Sequence, residues 1–509
     1  ETGNIVFVTQ AVNEVGTVPP SGSPVAFIGN SAIFHWIDRS TLVDAGTPTP
    51  GTVSEVLYYS PDGSIRAGLQ GIVGNFERIP LTSKANPNPD NQRHLANKPA
   101  WGLPASAVSR AKELARGQLV VFDLDKDGKE LAGTNVQIAG ALDDLYAEAA
   151  YDEPLGVTYT SGVPSLSVWA PTALTDPGVS VNVYDAAGAL LETKPMTLDA
   201  DSGIWKVTGT AAWDRKFYKI ALKVFSYATN SFVTNEVTDP YSVSLAMDSV
   251  RSQFVNLADA DLKPAGWDAL VLAPLAAPED LSIYELHVRD FSIADSSVPA
   301  ADRGKFTAFD IPGTAGRNHL QQLASAGLTA VHILPPFDIA TVRENPADQV
   351  NLDDPVADLC AANPAAASLC ITDAGKTIRQ AMQDAVAANQ LDRPQQIVEW
   401  IRDYDGFNWG YDPLHFGVPE GSYSTDPNGP KRILEFRRMV KGLNELGLRT
   451  IMDVVYNHTN ASGQNSRSVL DRVVPGYYHR RDALSGNVLK DSCCDDTASE
   501  FRMMEKLMI

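Results

Sequence analysis

Apolar and polar positions follow three successive rhythms along the chain. Up to about residue 150, short apolar runs such as Ala32-Ile-Phe-His-Trp-Ile37 and Val56-Leu-Tyr-Tyr59 sit between polar turns, and Pro80 to Pro99 is a Pro- and Asn-rich loop. From about 155 to 265 the runs become regular. Ser165–Trp169, Val179–Tyr184, Gly203–Val207 and Phe217–Leu222 read as strands, with turns at Ala186-Ala-Gly188 and Asp201-Ser-Gly203. Strands at this spacing over about a hundred residues predict a β-sandwich.

From about 280 the rhythm changes to strands alternating with helices. Ser282–Arg289 is a strand, His319–Ala326 an amphipathic helix closed by Gly327, and Leu328–Leu334 a second strand stopped by Pro335-Pro336. An inserted stretch, 336–430, carries an Ala-rich helical pattern through 374–403. Arg432–Leu446 is a helix closed by Gly447, and Leu448–Tyr456 a third strand. Strand–helix–strand–helix–strand predicts a parallel α/β layer, either doubly wound or a (β/α)8 barrel. There is no internal repeat.

Composition narrows the partners. A chain of 509 residues is too long for one core and predicts several domains. Lys plus Arg number 41 against 62 Asp plus Glu, a net charge of −21, which disfavours nucleic acid and anionic membrane surfaces and fits a neutral substrate. No apolar run approaches the roughly 18 residues of a spanning helix. The chain opens at Glu1-Thr-Gly-Asn4 with no Met, basic or apolar leader, which reads as a mature start. Cys360, Cys370, Cys493 and Cys494 lack zinc-site spacing. They allow three pairings, with buried free thiols as the alternative, and their even number favours an oxidising compartment.

Functional groups of a parallel α/β sheet gather at the carboxyl ends of its strands. The third strand brings Asp453 there, then Asn457 and His458, and a period of two puts Asp453, Val455 and Asn457 on one face. Carboxylate, amide and imidazole offer the donors and acceptors that a polyhydroxylated neutral ligand needs. The structural alternative pairs Asp453 within the sheet and sets His458 as a cap on the next loop. Phe407-Asn-Trp-Gly-Tyr-Asp-Pro413 supplies flat apolar plates, either for stacking sugar rings or for plugging the mouth of the sheet. Glu285, His287 and Arg289 of the first strand, with His332 of the second, read as buried charges that pair with one another. Asp123-Leu-Asp-Lys-Asp-Gly128 imitates a calcium loop, but its twelfth position is Thr134, so it reads as a β-hairpin turned at Asp127-Gly128. No GxSxG, Walker A, GxGxxG or HExxH motif occurs, which leaves lipase, P-loop, dinucleotide and zincin chemistries without support.

Taken together, Tyr284-Glu-Leu-His-Val-Arg-Asp-Phe-Ser292, Phe407–Pro413, Pro419-Glu-Gly-Ser-Tyr423 and Asp453-Val-Val-Tyr-Asn-His-Thr459 resemble the secreted bacterial pullulanases. These are starch-debranching members of the α-amylase superfamily, glycoside hydrolase family 13. Upstream, Ser167-Val-Trp-Ala-Pro-Thr-Ala173 and Val237-Thr-Asp-Pro-Tyr241 resemble the family-48 carbohydrate-binding module that precedes such barrels. The resemblance implies a β-rich domain over 1–150, a β-sandwich module over 151–268, and over 269–509 the first part of a (β/α)8 barrel, truncated after about three strands and interrupted by the insertion 336–430.

The resemblance also implies roles. Asp453 and His458 line the subsite of the glucose whose bond is cut, Tyr411 stacks on that glucose, Trp409 shapes the loop, and Asn457 matches the motif. Cys360–Cys370 and Cys493–Cys494 are the implied disulfides. The substrate is an α-glucan polysaccharide or oligosaccharide, the location extracellular or cell-surface. No cofactor is required; a structural calcium ion is compatible with the family, but no residue is assignable to it. Retaining hydrolysis needs a nucleophilic Asp and an acid/base Glu about 5 Å apart. The segments that carry them are expected beyond Ile509, so residues 1–509 alone are expected to be inactive. A non-catalytic α-glucan-binding protein is the competing class, and isoamylase and branching enzyme are the competing members of the superfamily.

Overall fold

In a computed structural model, which describes residues 26–27, 31–68, 71–272, 274–492 and 496–509, the chain forms two compact units. Of the described residues, the first comprises those up to Leu145 with Phe225–Phe232 and Arg481–Asn487, and the second those of Tyr146–Val224, Val233–Arg480 and Val488–Ile509.

The first unit is built on a nine-stranded sheet. At its centre Gln118–Leu124 pairs antiparallel with Ser54–Ser60 on one side and Glu130–Gln137 on the other. Leu119, Val120, Val121 and Phe122 are all buried, so this strand is covered on both faces. The Asp127-Gly128 hairpin forms as the turn residues predict, with Gly128 at φ +76°. Pro80 to Pro99 is more ordered than a loop. Thr82–Lys84 joins the sheet edge, Asp90–Leu95 is a 3-10 helix, and the Asn86 amide closes the segment by donating to the carbonyls of Leu95 and Lys98. His35 is buried with Nε2 donating to the Ala483 carbonyl, and desolvation lowers its pKa from 6.5 to about 4.

The second unit opens with two antiparallel sheets, apart from the strand ends within Phe225–Phe232, which belong to the first. One orders Gly156–Thr160, Val163–Trp169, Ile204–Thr208 and Thr197–Asp199; the other orders Leu190–Pro195, Ser180–Tyr184, Phe217–Ser226 and Ser231–Val237, with Ser252–Gln253 on Phe217–Ser226. Alternation along the strands sets the faces: Val181 and Val183 are buried while Ser180, Asn182 and Tyr184 are half-buried. Trp169 and Trp205 donate to the carbonyls of Ser202 and Ala170, and Trp169 meets Tyr477 edge-on at 4.7 Å. These indoles are therefore committed to packing.

The parallel layer consists of Ile283–Leu286, Ala330–Ile333 and Arg449–Met452, in that order. Helices Ala315–Ser325 and Lys431–Glu445 supply Leu320, Met439 and Leu443 to a core with Val331 and Ile333. Gly327 and Gly447 follow these helices at φ +111° and +80°, as predicted for residues that end them.

The strands are shorter than the sequence predicts, for side-chain reasons. The first ends at Leu286 because His287 becomes the N-cap of a short helix, Val288–Ser292, its Nδ1 accepting from the amides of Arg289 and Asp290. Glu285, His287 and Arg289 thus do not pair with one another. Glu285, largely exposed, meets His332 across the sheet at 3.2 Å, and Arg289 bonds Asp290. The third strand ends at Met452, so Asp453, Val455 and Asn457 share no strand face: Val455 is buried and Asn457 exposed.

The insertion holds four helices, Val356–Ala362, Ala367–Thr372, Ile378–Ala387 and Asp392–Ile401, around a core that includes Leu359, Leu369, Ile378 and Ile397. The helical stretch predicted over 374–403 breaks in two at Asn389, which takes φ +59°. Cys360 and Cys370 form a disulfide between the first two of these helices, and Cys493 and Cys494 lie outside the described residues. No helix among the described residues is long and apolar enough to cross a membrane.

Because His35 is neutral when folded but ionises more readily when unfolded, it contributes stability above pH 6.5 that is lost as pH falls from 6.5 towards about 4. Urea denaturation of the first unit should show this loss, on the order of 3 kcal/mol, and His35→Gln should remove that increment of the pH dependence.

Candidate functional site at the ends of the parallel strands

The loop Phe407–Pro413 alternates in a period of two. Even-numbered residues anchor it. Asn408 is buried, its Oδ1 accepting from Tyr423 Oη at 2.7 Å and from His287 Nε2 at 3.2 Å. Gly410 sits at φ +82° where a Cβ would lie 2.6 Å from the Pro335 carbonyl oxygen, so only glycine fits. Asp412 accepts from Ala340 N through its carbonyl and from Thr341 Oγ1 through its carboxylate. The odd-numbered residues are the aromatics. Phe407 and Trp409 are 47% and 63% exposed and lie edge to face at 5.7 Å, and Tyr411 follows them half-buried.

Three of the predicted site residues meet directly. Tyr411 donates its hydroxyl to Asp453 Oδ2 at 2.6 Å, and His458 donates Nε2–H to the Tyr411 carbonyl at 2.8 Å. Burial and the Asp453 carboxylate raise the Tyr411 pKa and keep the phenol protonated. His458 is 2% exposed and Nδ1 has no partner among the described residues, so its imidazole fixes the Tyr411 backbone from behind. Trp409 stands beside this group on the same loop. Asn457 does not join it: exposed, it reaches the Ser492 carbonyl at 3.4 Å.

A buried ionic cluster beneath the loop escapes sequence reasoning. Arg432, with no exposure, forks onto Glu344 at 3.0 and 3.1 Å and lies 3.9 Å from Asp338. His415 donates Nδ1–H to Asp338 at 2.6 Å across the antiparallel pair Phe337–Ile339 and Pro413–Pro419, and its Nε2 lies 2.7 Å from the Thr238 hydroxyl. Glu420 accepts from the amides of Ile339 and Ser422 at 2.7 Å each. Burial, reinforced by Glu344 and Asp338, pushes the Glu420 carboxyl up to about 8. Asp338, Glu344 and Glu420 converge closely enough to hold a cation, and the Arg432 guanidinium fills that role. Glu420 was visible in the sequence as part of Pro419–Tyr423; His415, Asp338 and Glu344 come from distant segments with no shared pattern.

Comparison with known proteins places this geometry. Residues 31–144 match the pullulanase N2 domain and residues 339–407 the pullulanase Ins domain. The chain is 38% identical over 491 residues to the pullulanase of Klebsiella pneumoniae, an alignment covering 93% of this chain and 44% of that protein. The chain is thus similar to pullulanases over most of its own length. Chloroplastic pullulanase 1 of Arabidopsis thaliana is 35% identical, with 93% of this chain and 46% of the relative covered. The crystal structure of PulA from Klebsiella oxytoca superposes with a TM-score of 0.87 at 37% identity, over 95% of this chain and 46% of that one. The maltotriose complex of PulA from Klebsiella pneumoniae gives the same TM-score and identity over 95% and 52%. The chain thus spans about half the length of these relatives, and the homology runs through both β-rich regions, the insertion and the parallel layer.

Arg432 is the cation on which the cluster depends. Arg432→Ala should destabilise the second unit by about 3–5 kcal/mol, because it leaves Glu344 buried and unpaired. Chemical denaturation checks this, and a loss below about 1 kcal/mol would mean that the cluster carries little of the fold.

Proposed function

We propose that this chain is the amino-terminal portion of a starch-debranching glycoside hydrolase that cuts α-1,6-glucosidic bonds in pullulan, amylopectin or limit dextrins by a retaining, two-carboxylate mechanism. The observation that carries the reading is the Tyr411–Asp453–His458 constellation just past the third parallel strand, with the exposed Trp409 ring beside it. Maltotriose-bound relatives support the substrate class. The reading divides the chain into a β-rich domain over 1–150, a β-sandwich carbohydrate-binding module over 151–268, and a partial (β/α)8 barrel over 269–509. Three strands cannot close a barrel. Ile283 and Met452, on the two outer strands, are 52% and 41% exposed, an apolar surface suited to the strands that would complete it.

Tyr411 presents its ring to the glucose, Asp453 orients that ring and offers a carboxylate oxygen to a sugar hydroxyl, and His458 acts as a positioning residue through the Tyr411 carbonyl. Trp409 stacks on a neighbouring sugar. Trp169, Trp205 and Trp213 of the sandwich are at most 4% exposed and so do not offer their rings for stacking, whereas Trp409 does. The nucleophilic Asp and acid/base Glu lie on strands that residues 1–509 do not include. No cofactor enters this chemistry. The Cys360–Cys370 disulfide favours an extracellular or cell-surface location.

The full-length protein should release maltotriose from pullulan, and purified residues 1–509 should release no reducing ends above a buffer blank. Turnover by residues 1–509 that Asp453→Ala abolishes would place the catalytic carboxyl within this chain and overturn the division of labour. In the full-length enzyme, His458→Ala should lower kcat/KM about 100-fold by letting the Tyr411 backbone shift, whereas Tyr411→Ala should act mainly on KM.

A further inference from the structure

A cavity of about 530 Å3 opens in the second unit, walled by the end of the strand Ser231–Val237, residues 339–344 and residues 466–472. Its volume is within the range of about 300–1,000 Å3 usual for small-molecule sites. Neither Trp409, Tyr411, Asp453 nor His458 lines it.

Its charges are unusual for so acidic a protein. Lys219, Arg343, Arg467 and Arg472 all line the wall, and none of them is in an ion pair among the described residues. Arg343 gives Nε to the Asp403 carbonyl and lies over the Tyr404 ring at 4.6 Å, and Arg472 gives Nη2 to the Glu236 carbonyl. The carboxylates of the wall are engaged elsewhere. Glu344 holds Arg432, Asp248 accepts from the Glu344 amide, Glu236 accepts from Tyr184 and Asn182, and Asp403 faces Arg402. Burial lowers the Arg472 pKa, opposed by the Glu236 carboxylate, which acts on both Arg472 and Lys219. Ser468 adds an independent observation: it is 1% exposed, lines the cavity, and its hydroxyl has no hydrogen-bond partner among the described residues. No Phe, Tyr or Trp ring lines the wall, so a neutral glucan would find no stacking plate.

We propose that this cavity binds a phosphorylated saccharide, its phosphate held among Lys219, Arg467 and Arg472 and its sugar hydroxyls against Ser468 and Thr341. Phosphate oxygens suit forked guanidinium donors, and a dianion would pair with Lys219, Arg467 and Arg472, none of which is within ion-pair distance of a carboxylate among the described residues, whereas a neutral sugar would not. The cavity exceeds the needs of a bare phosphate ion, and its hydroxyl-lined side suits the attached ring.

Calorimetric titration of the full-length protein tests this with three probes: glucose 6-phosphate, inorganic phosphate and glucose. Glucose 6-phosphate should bind at least about tenfold more tightly than either other probe and should weaken as salt is raised. Arg467→Ala with Arg472→Ala should weaken it at least about tenfold. Lys219→Gln, on a half-exposed strand position, should weaken it in the same direction, so that the result survives if the double variant melts at a lower temperature. Equal affinity for inorganic phosphate, an adventitious ion only, would overturn the saccharide assignment. Equal affinity for glucose, no binding of any probe, or binding unchanged in the variants would overturn the site.

Discussion

A guanidinium sealed from water dictates what surrounds it. Arg432, on the helix that covers the parallel layer, has no exposure, so carboxylates must be brought to it from elsewhere in the chain. Glu344 comes from the start of the helical insertion and Asp338 from the strand just before it. Asp338 in turn fixes His415 on the return strand, and His415 reaches Thr238 at the end of the sandwich. One buried positive charge therefore sets where the insertion leaves the layer, where it returns, and which sandwich residue it meets.

The loop that carries the aromatic rings begins and ends on this framework. Asp412 and Gly410 press against Ala340, Thr341 and Pro335, residues flanking Asp338, while Asn408 is held by His287 and Tyr423. Tyr411 thus arrives beside Asp453 on a backbone whose position is set by buried polar contacts, and His458 locks its carbonyl from the far side. The ring geometry depends on charge burial several residues away more than on any contact that the rings make themselves.

Turn chemistry and helix closure were legible in the sequence because they are local: Asp127-Gly128, Gly327 and Gly447 behave as their residue types require. Strand ends were not. Apolar alternation continues through His287 and Val455, but a histidine that caps a helix and a third strand that stops at Met452 are decided by hydrogen bonds that no periodicity reports. The motif residues Tyr411, Asp453 and His458 were legible as a group, whereas the exposure of Asn457 and the burial of His458 were not. Asp338, Glu344 and His415 look like surface polar residues in sequence. Only their convergence on Arg432 shows otherwise, and that convergence spans nearly a hundred residues of chain.

The period-two loop separates two burdens that most binding loops combine. Its anchors, Asn408, Gly410 and Asp412, face inward and hold the backbone, while Phe407 and Trp409 stand in solvent with little share in the fold. Exchange of an outward ring is then a change of ligand surface at nearly constant stability. The loop behaves as an interchangeable keypad on a fixed board, and divergence among proteins of this build can proceed at positions 407 and 409 while Tyr411 and the even positions stay still.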